Sequence, residues 1–566
     1  MLVKDFKRDF YDVLQNQRVL VLVAFDVDAL CACKILQYLF QCDQVLYTIV
    51  PVDGLQGLEN AFLENAEGIK HVVLINCGAA FDIVEILQPE DHVRFYICDS
   101  HRPVDVHNFY NAVQVKLLMR EDELSTIPSY DEVFRDDVSL ISEDSGNESE
   151  DSETGYKRKR FDEESVLRRQ ERRRWNENRE KVLFNYAKFT SYATSAALVM
   201  FELAWKLSKD TNNLLWLAIV GVTDQFIHFK TPREKYMEDI IALQSHVTRH
   251  NQRGSDDENI MSVNCLRISF EEELNLCLYR HWTLFESICH SMAIACKLRL
   301  WSLKGQKRLH EFLAEMGLPL NQCKQQFSAM ESTMKPEVKT KMQEYMTKYG
   351  LVVQDVILPS FSLQYGYKNL MCATDYVLAC TAVLESVDKS KHSTDNFLEA
   401  SDILQRSSSE KFEAGLASAK LQLKSVVSQV QSFLDMHQII SAGPFLYVFV
   451  QEGTADSRFF AHPQCLIRLA RFSLQAHCAV SRNKRAQSLP LVLGAPYNLE
   501  EGTSLVVGIP PLDTDDERKN FFGKAFEQAS KSTSTTAKFH SFDSYIIEMK
   551  SEDKSKFFDA LISILQ

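Results

Sequence analysis

The chain has 566 residues, 45% of them hydrophobic and 25% charged, with a net charge of −14. Such a composition fits a globular protein of roughly two to four domains with large cores, and the acidic balance excludes a protein that coats DNA with a general basic face, though not one local basic groove. No apolar run approaches the ~18 residues of a membrane span and Met1-Leu2-Val3-Lys4-Asp5 carries no signal-peptide pattern, so a soluble intracellular protein is expected.

Residues 17–118 alternate between strand and helix signals. Residues 19–24 are a continuous apolar run, the pattern of a parallel strand buried on both faces. Residues 30–40 have helical periodicity, and 45–52, 72–75, 93–98 and 113–118 read as further strands. A doubly wound α/β domain with a parallel sheet is predicted, its first part spanning residues 1–130. Just past three of these strands stand Phe25-Asp26-Val27-Asp28, Asn76-Cys77-Gly78 and Asp99-Ser100-His101. These are the carboxyl ends at which open α/β sheets place their ligands.

Residues 131–180 read as a linker. Within 131–153 there are ten acidic residues against one basic, Arg135, with Ser142, Ser145, Ser149 and Ser152 among them. Residues 157–174 reverse the sign. Few apolar groups are available to offset ordering entropy, so the acidic part is expected to be disordered, and the basic part helical near Trp175. Lys157, Arg158, Lys159 and Arg160, with Arg172, Arg173 and Arg174, read as a two-part nuclear localisation signal; the alternative is a solvated helix face. The serines are either phosphorylation sites or part of a solubilising linker.

Residues 181–230 are predicted to complete the first domain, with a helix over 182–209 and a second over 214–220 leading into Gly221-Val222-Thr223-Asp224. Residues 231–385 are expected to be a helical insertion, amphipathic at 230–249 and 330–349. Its apolar stripes serve core packing or a partner-binding face. Residues 386–566 read as a second, smaller α/β domain. After polar helices up to residue 440, strands are predicted at 445–450, 491–493, 505–507 and 545–549, and helices at 465–476, 516–530 and 555–565. The fourteen cysteines include no Cys-x-x-Cys pair and read as buried reduced thiols. Cys277, His281, Cys289 and His290 are close in sequence but lack zinc-knuckle spacing.

The four patches together point to phosphoester chemistry. A two-metal phosphoesterase needs carboxylates converging on two cations roughly 3.5–4 Å apart. Two divalent ions at ~4 Å repel by roughly 17 kcal/mol at an effective dielectric of ~20, which only anionic ligands offset. The order Asp-x-Asp, Asp-Asn/Cys-Gly, Asp-His-His, Gly-x-x-Asp is that of the DHH phosphoesterases, and this chain resembles their RecJ branch of single-strand exonucleases. Asp26 and Asp28 match the first motif. Asn76 stands in the second where the family has the Asp that bridges the metals. In the third, Asp99 and His101 are kept, but Ser100 replaces the first His, a metal ligand. Asp224 matches the fourth. An Asn carbonyl is neutral and a serine hydroxyl is a poor ligand beside imidazole, so no metal and no cofactor are expected. No Gly-Gly pair is present, so the glycine-rich motif of RecJ enzymes is missing too. The retained groups are then structural, with Asp28 and Asp99 capping the following helices and His101 tying the loop, or they line a cleft that still accepts a nucleic-acid strand.

With this core, the acidic-then-basic insertion and a middle region containing Met316-Gly317-Leu318-Pro319-Leu320 and Gln322-Cys323-Lys324-Gln325, the chain resembles a RecJ-like family of non-catalytic subunits of the eukaryotic replicative helicase. The resemblance covers nearly the whole chain. It implies a nuclear protein required for initiation and elongation of DNA replication. The implied partners are the minichromosome maintenance hexamer, the GINS complex, other replication-fork and initiation factors and, weakly, single-stranded DNA. The contacts are expected on the helical insertion. An active metal-dependent exonuclease is the alternative.

Overall fold

The computed structural model describes residues 2–121, 123, 127–134, 163–253, 266–365, 370–388, 390–405, 409–454, 456–481, 487–512, 519–535 and 537–566. The first sheet is built from β1 (Arg18–Ala24), β2 (Leu46–Val52), β3 (His71–Ile75), β4 (Arg94–Cys98) and, beyond a two-residue β5 (His101–Arg102), β6 (Val115–Leu117). Its order is β2-β1-β3-β4-β6 and every pair is parallel. Residues 19–23 and 72–75 are buried on both faces, which explains their unbroken apolar runs. Each Val, Leu or Ile so buried contributes roughly 1.5–3 kcal/mol. The chain steps outward from β1 to β2 and then crosses back to β3 on the other side of β1. The crevice between the carboxyl ends of β1 and β3 is therefore a topological switch point, where such sheets bind ligands.

The helices that cover this sheet differ from expectation in two places. The helix foreseen over 182–209 is broken. A helix Glu163–Ala187 ends before β7 (Ser191–Tyr192), which pairs with β5. Thr190 exchanges backbone hydrogen bonds with Asn520 of the C-terminal sheet domain. Ser195 then caps the helix Ala196–Lys206. Tertiary pairing overrides the Ala- and Leu-rich helical pattern at this break. The next helix runs Asn212–Ile227, not 214–220, so Gly221 and Asp224 lie inside a helix. The acidic serines and Lys157 to Arg160 lie outside the described residues. Arg172, Arg173 and Arg174 are exposed on the helix Glu163–Ala187.

The insertion carries a sheet that helical periodicity did not reveal. β8 (Leu266–Leu274), β9 (Ile357–Tyr365) and β10 (Met371–Cys372) pair antiparallel in the order β10-β9-β8. β8 contains the run Glu271-Glu272-Glu273, and its partner lies at the far end of the insertion, so no local pattern marks the pairing. Between them are short helices, including Leu284–His290, Leu303–Glu315 and Met334–Tyr345. His281 faces Asp375 at 3.4 Å and His290 stacks on Trp282.

The C-terminal sheet takes the order β11-β12-β13-β14-β16-β15, from β11 (Ile440–Ser441), β12 (Leu446–Phe449), β13 (Leu491–Pro496), β14 (Thr503–Ile509), β15 (Lys538–Phe539) and β16 (Ile546–Lys550). The helices Pro463–Val480, Phe522–Thr533 and Lys554–Leu565 accompany it. Residues 516–518 of the helix expected over 516–530 fall outside the described residues. The apolar interior divides in two. One core holds the first sheet with Phe412, Leu416 and Leu423 of the helix Ser409–Asp435. The other joins Phe312 and Val338 of the insertion to Val426 and Phe433 of that same helix and to the C-terminal sheet. The insertion is thus fused to the C-terminal domain through a common core. No helix among the described residues is long and apolar enough to cross a membrane.

Candidate functional site

The loops after β1, β3 and β4 meet at the switch point, and Asn76 is their hub. Its φ is +52°, a left-handed conformation that Asn adopts more readily than most residues. This turn lays the side chain across the crevice. The amide oxygen accepts from the Ser100 backbone N–H at 3.1 Å, which fixes the Nδ2 group toward the carboxylates. Nδ2 donates to Asp28 Oδ2 at 3.1 Å and to Asp26 Oδ1 at 3.2 Å. An Asp here would set a third carboxyl group against two that burial already pushes up. The amide instead supplies the donors that a cation would otherwise have to replace.

Asp26, not Asp28, caps the helix that follows it, Val27–Cys42, by accepting from Ala29 N–H at 2.7 Å. Asp28 is buried and caps a helix from a later segment. It accepts from Ala196 and Ala197 N–H at 2.9 and 3.0 Å and from Ser195 Oγ. The helix Asn212–Ile227 comes so close that a Cβ on Gly221 would sit 2.8 Å from Asp28 Oδ1, so only glycine fits there. Asp99 caps no following helix either. Its Oδ2 accepts from Gly78 and Ala79 N–H at 3.0 and 2.8 Å, tying the third patch to the second. Its Oδ1 accepts from His101 N–H at 2.9 Å and faces His101 Nδ1 at 2.6 Å.

His101 does tie a loop, but across domains. Its Nε2 lies 3.2 Å from Asp543 Oδ1, and Asp543 also accepts from Tyr192 Oη. Burial pulls the imidazole pKa down, yet Asp99 and Asp543 outweigh it and raise the group to about 10. Burial pushes Asp99 up, and the His101 charge and donors bring it down to about 2. Both are therefore ionised at neutral pH. Asp224 pairs with His228 Nδ1 at 2.9 Å, while its Oδ2 is buried without a hydrogen-bond partner. Burial raises Asp26 to about 7; Lys230 opposes this and Asp28 and Asp224 add to it.

A cavity of about 650 Å³ opens onto this cluster, lined by Asp26, Asn76, His101, Lys230 and Asp543 on one side and by Arg458, His462 and His540 on another. The residues present do not fit a two-metal centre. Asn76 turns hydrogens, not lone pairs, toward Asp26 and Asp28. Asp28 and Asp99 spend their oxygens on N–H and O–H donors, and both His101 nitrogens face carboxylates. The sequence-derived set Asp26, Asp28, Asn76, Asp99, Ser100 and His101 does converge, and Asp224 lies near enough for its charge to help raise Asp26 and Asp28. Lys230 and Asp543 escaped sequence reasoning. Lys230 follows the fourth motif by six positions, the one signal available; Asp543 is 442 residues from His101 and carries none. A separate group, Asp82, Asp105 and His107, brings its ligand atoms within 4.8 Å of one another, but Asp82 and Asp105 act there as helix caps.

Comparison with known proteins adds an independent finding. The sequence profile of the CDC45 family matches residues 19–125 and 130–564. The chain is 48% identical over 568 residues to the human cell division control protein 45 homolog, covering 100% of both chains. The crystal structure of CDC45 from Entamoeba histolytica superposes with a TM-score of 0.70 at 23% identity, over 100% of both chains. A crystal structure of exonuclease RecJ bound to manganese gives a TM-score of 0.41 at 11% identity, over 97% of this chain and 90% of that one.

Proposed function

Because the chain belongs to the CDC45 family, and is therefore a DNA replication factor, we propose that it acts as a non-catalytic subunit of the replicative helicase. In this reading it bridges the minichromosome maintenance hexamer and GINS in the nucleus, and the old phosphoesterase crevice serves as a structural hub. The observation that carries the non-catalytic part is the Asn76 amide, which donates to Asp26 and Asp28 where a metal bridge would need a carboxylate. Asn76 and Ser100 are the inactivating replacements. The insertion supports the partner role, because it exposes Leu303, Val352 and Val353 to solvent while its interior is fixed to the C-terminal core. Arg458 on the cavity wall offers a weak, salt-dependent contact to a single strand.

Incubation of the full-length chain with labelled single-stranded DNA and manganese tests the non-catalytic reading. Intact DNA is expected. Manganese-dependent hydrolysis that disappears in Asp26→Ala would establish an active nuclease instead.

A further inference from the structure

We infer that Lys230 is a built-in counter-cation for Asp26, Asp224 and Asp543, standing in for the positive charge of a metal, so that restoring Asn76 and Ser100 alone does not restore a metal centre. This rests on the reading of the crevice as non-catalytic and goes one step further: the cluster has acquired its own cation as well as losing ligands.

The position of the side chain carries the argument. Lys230 is 5% exposed and lies just beyond the helix that bears Asp224, where its backbone N–H donates to the Gln225 carbonyl at 2.8 Å. Its ammonium lies over the Tyr192 ring, 5.2 Å from the centroid, and lines the same cavity as Asp26 and Asp543. No carboxylate among the described residues reaches ion-pair distance of it, so it belongs to no single acid. Its field nevertheless acts on Asp26, Asp224 and Asp543 together. A buried ammonium without a direct carboxylate partner is costly unless several acids share it. Asp224 pairs with His228 through Oδ1, while its Oδ2 is buried with no hydrogen-bond partner; His228 first and then Lys230 offset the burial that pushes this carboxyl up. Burial by itself would lower the Lys230 pKa; the three carboxylates reverse this and raise it. With three acids around one ammonium the spot repels anions, which argues against a phosphate site. A divalent ion entering the crevice would have to displace or repel Lys230, whatever residues stand at 76 and 100.

The test is a calorimetric titration of manganese into the full-length chain as wild type, Asn76→Asp/Ser100→His, Lys230→Gln and the triple variant, with thermal unfolding of each. Saturable binding is expected in the triple variant alone, with any residual affinity of the double at least tenfold weaker. Manganese should raise the melting temperature of the triple variant and leave that of the wild type unchanged. Lys230→Arg keeps the charge and should behave as wild type. If Lys230→Gln alone fails to fold, Lys230→Gln/Asp26→Asn removes one acid with the ammonium and should recover the fold; failure to recover overturns the inference. A double variant that binds manganese as tightly as the triple overturns it too, as does Lys230→Gln with wild-type stability at pH 8. Manganese-dependent nuclease activity in the wild type would sink the functional reading separately, without touching these comparisons.

Discussion

The Asn76 amide donates to Asp28 Oδ2 at 3.1 Å across 48 residues of sequence. That one bond joins the ends of β1 and β3, and the same side chain reaches β4 through Ser100. Asn76→Asp removes the donor and packs a carboxylate against two others. A loss of about 2–4 kcal/mol is expected at pH 7.5, measured by urea denaturation. The loss should shrink in acid, where the crowded carboxyls take up protons.

His101 gives the fold a pH signature. Its pKa in the fold is raised from 6.5 to about 10 by Asp99 and Asp543 against the pull of burial. A raised folded pKa means that the contribution is fully present below about pH 6.5 and is lost as pH rises through about 10. Asp99, held down at about 2, keeps its share above its ordinary range and loses it only as pH falls through about 2. His101→Gln should therefore cost about 3 kcal/mol near pH 6, and the difference from wild type should fade between pH 7 and 10 in denaturation curves taken across that range.

Much of the first sheet was legible because strands buried on both faces leave unbroken apolar runs, and the motif residues follow directly at their ends. Asp26, Asn76 and Asp99 could be placed for that reason. What each carboxylate binds was not legible. The sequence suggested that Asp28 and Asp99 cap their own following helices, whereas Asp28 caps a helix that begins at residue 196 and Asp99 holds the turn at Gly78. Those partners come from loops that meet only in the folded chain. The break at 188–195 and the β8–β9 pairing were hidden for the same reason, since distant strands pair there against the local helical pattern. Asp543 sits in Ser541-Phe542-Asp543-Ser544, which has no feature that points to His101.

The shared core predicts how the insertion unfolds. Phe312 is wholly buried and packs in the same cluster as Phe433 and the C-terminal strands. Phe312→Ala should cost about 3–5 kcal/mol. It should also speed hydrogen exchange in β13 and β14 as well as in the helix Leu303–Glu315. Faster exchange confined to the insertion would mean that it is an independent unit.

Leu303 is 80% exposed at the start of its helix and contributes little to the core. Leu303→Asp should leave the melting temperature within about 1 °C, because surface substitutions stay near ±0.5 kcal/mol. If the insertion is the partner face, the same change weakens association with the minichromosome maintenance hexamer or GINS at least tenfold in a pull-down titration. Unchanged association with both moves the interface elsewhere.

The central claim is that the crevice is held together by its own hydrogen bonds and needs no metal. The most direct measurement is anomalous scattering at the manganese edge from crystals of the full-length chain grown in manganese. The expected map has no peak among Asp26, Asn76, Asp99 and Asp224, with the Asn76 amide within hydrogen-bond distance of both Asp26 and Asp28. A manganese peak bridging those carboxylates, with the amide turned away, would contradict it.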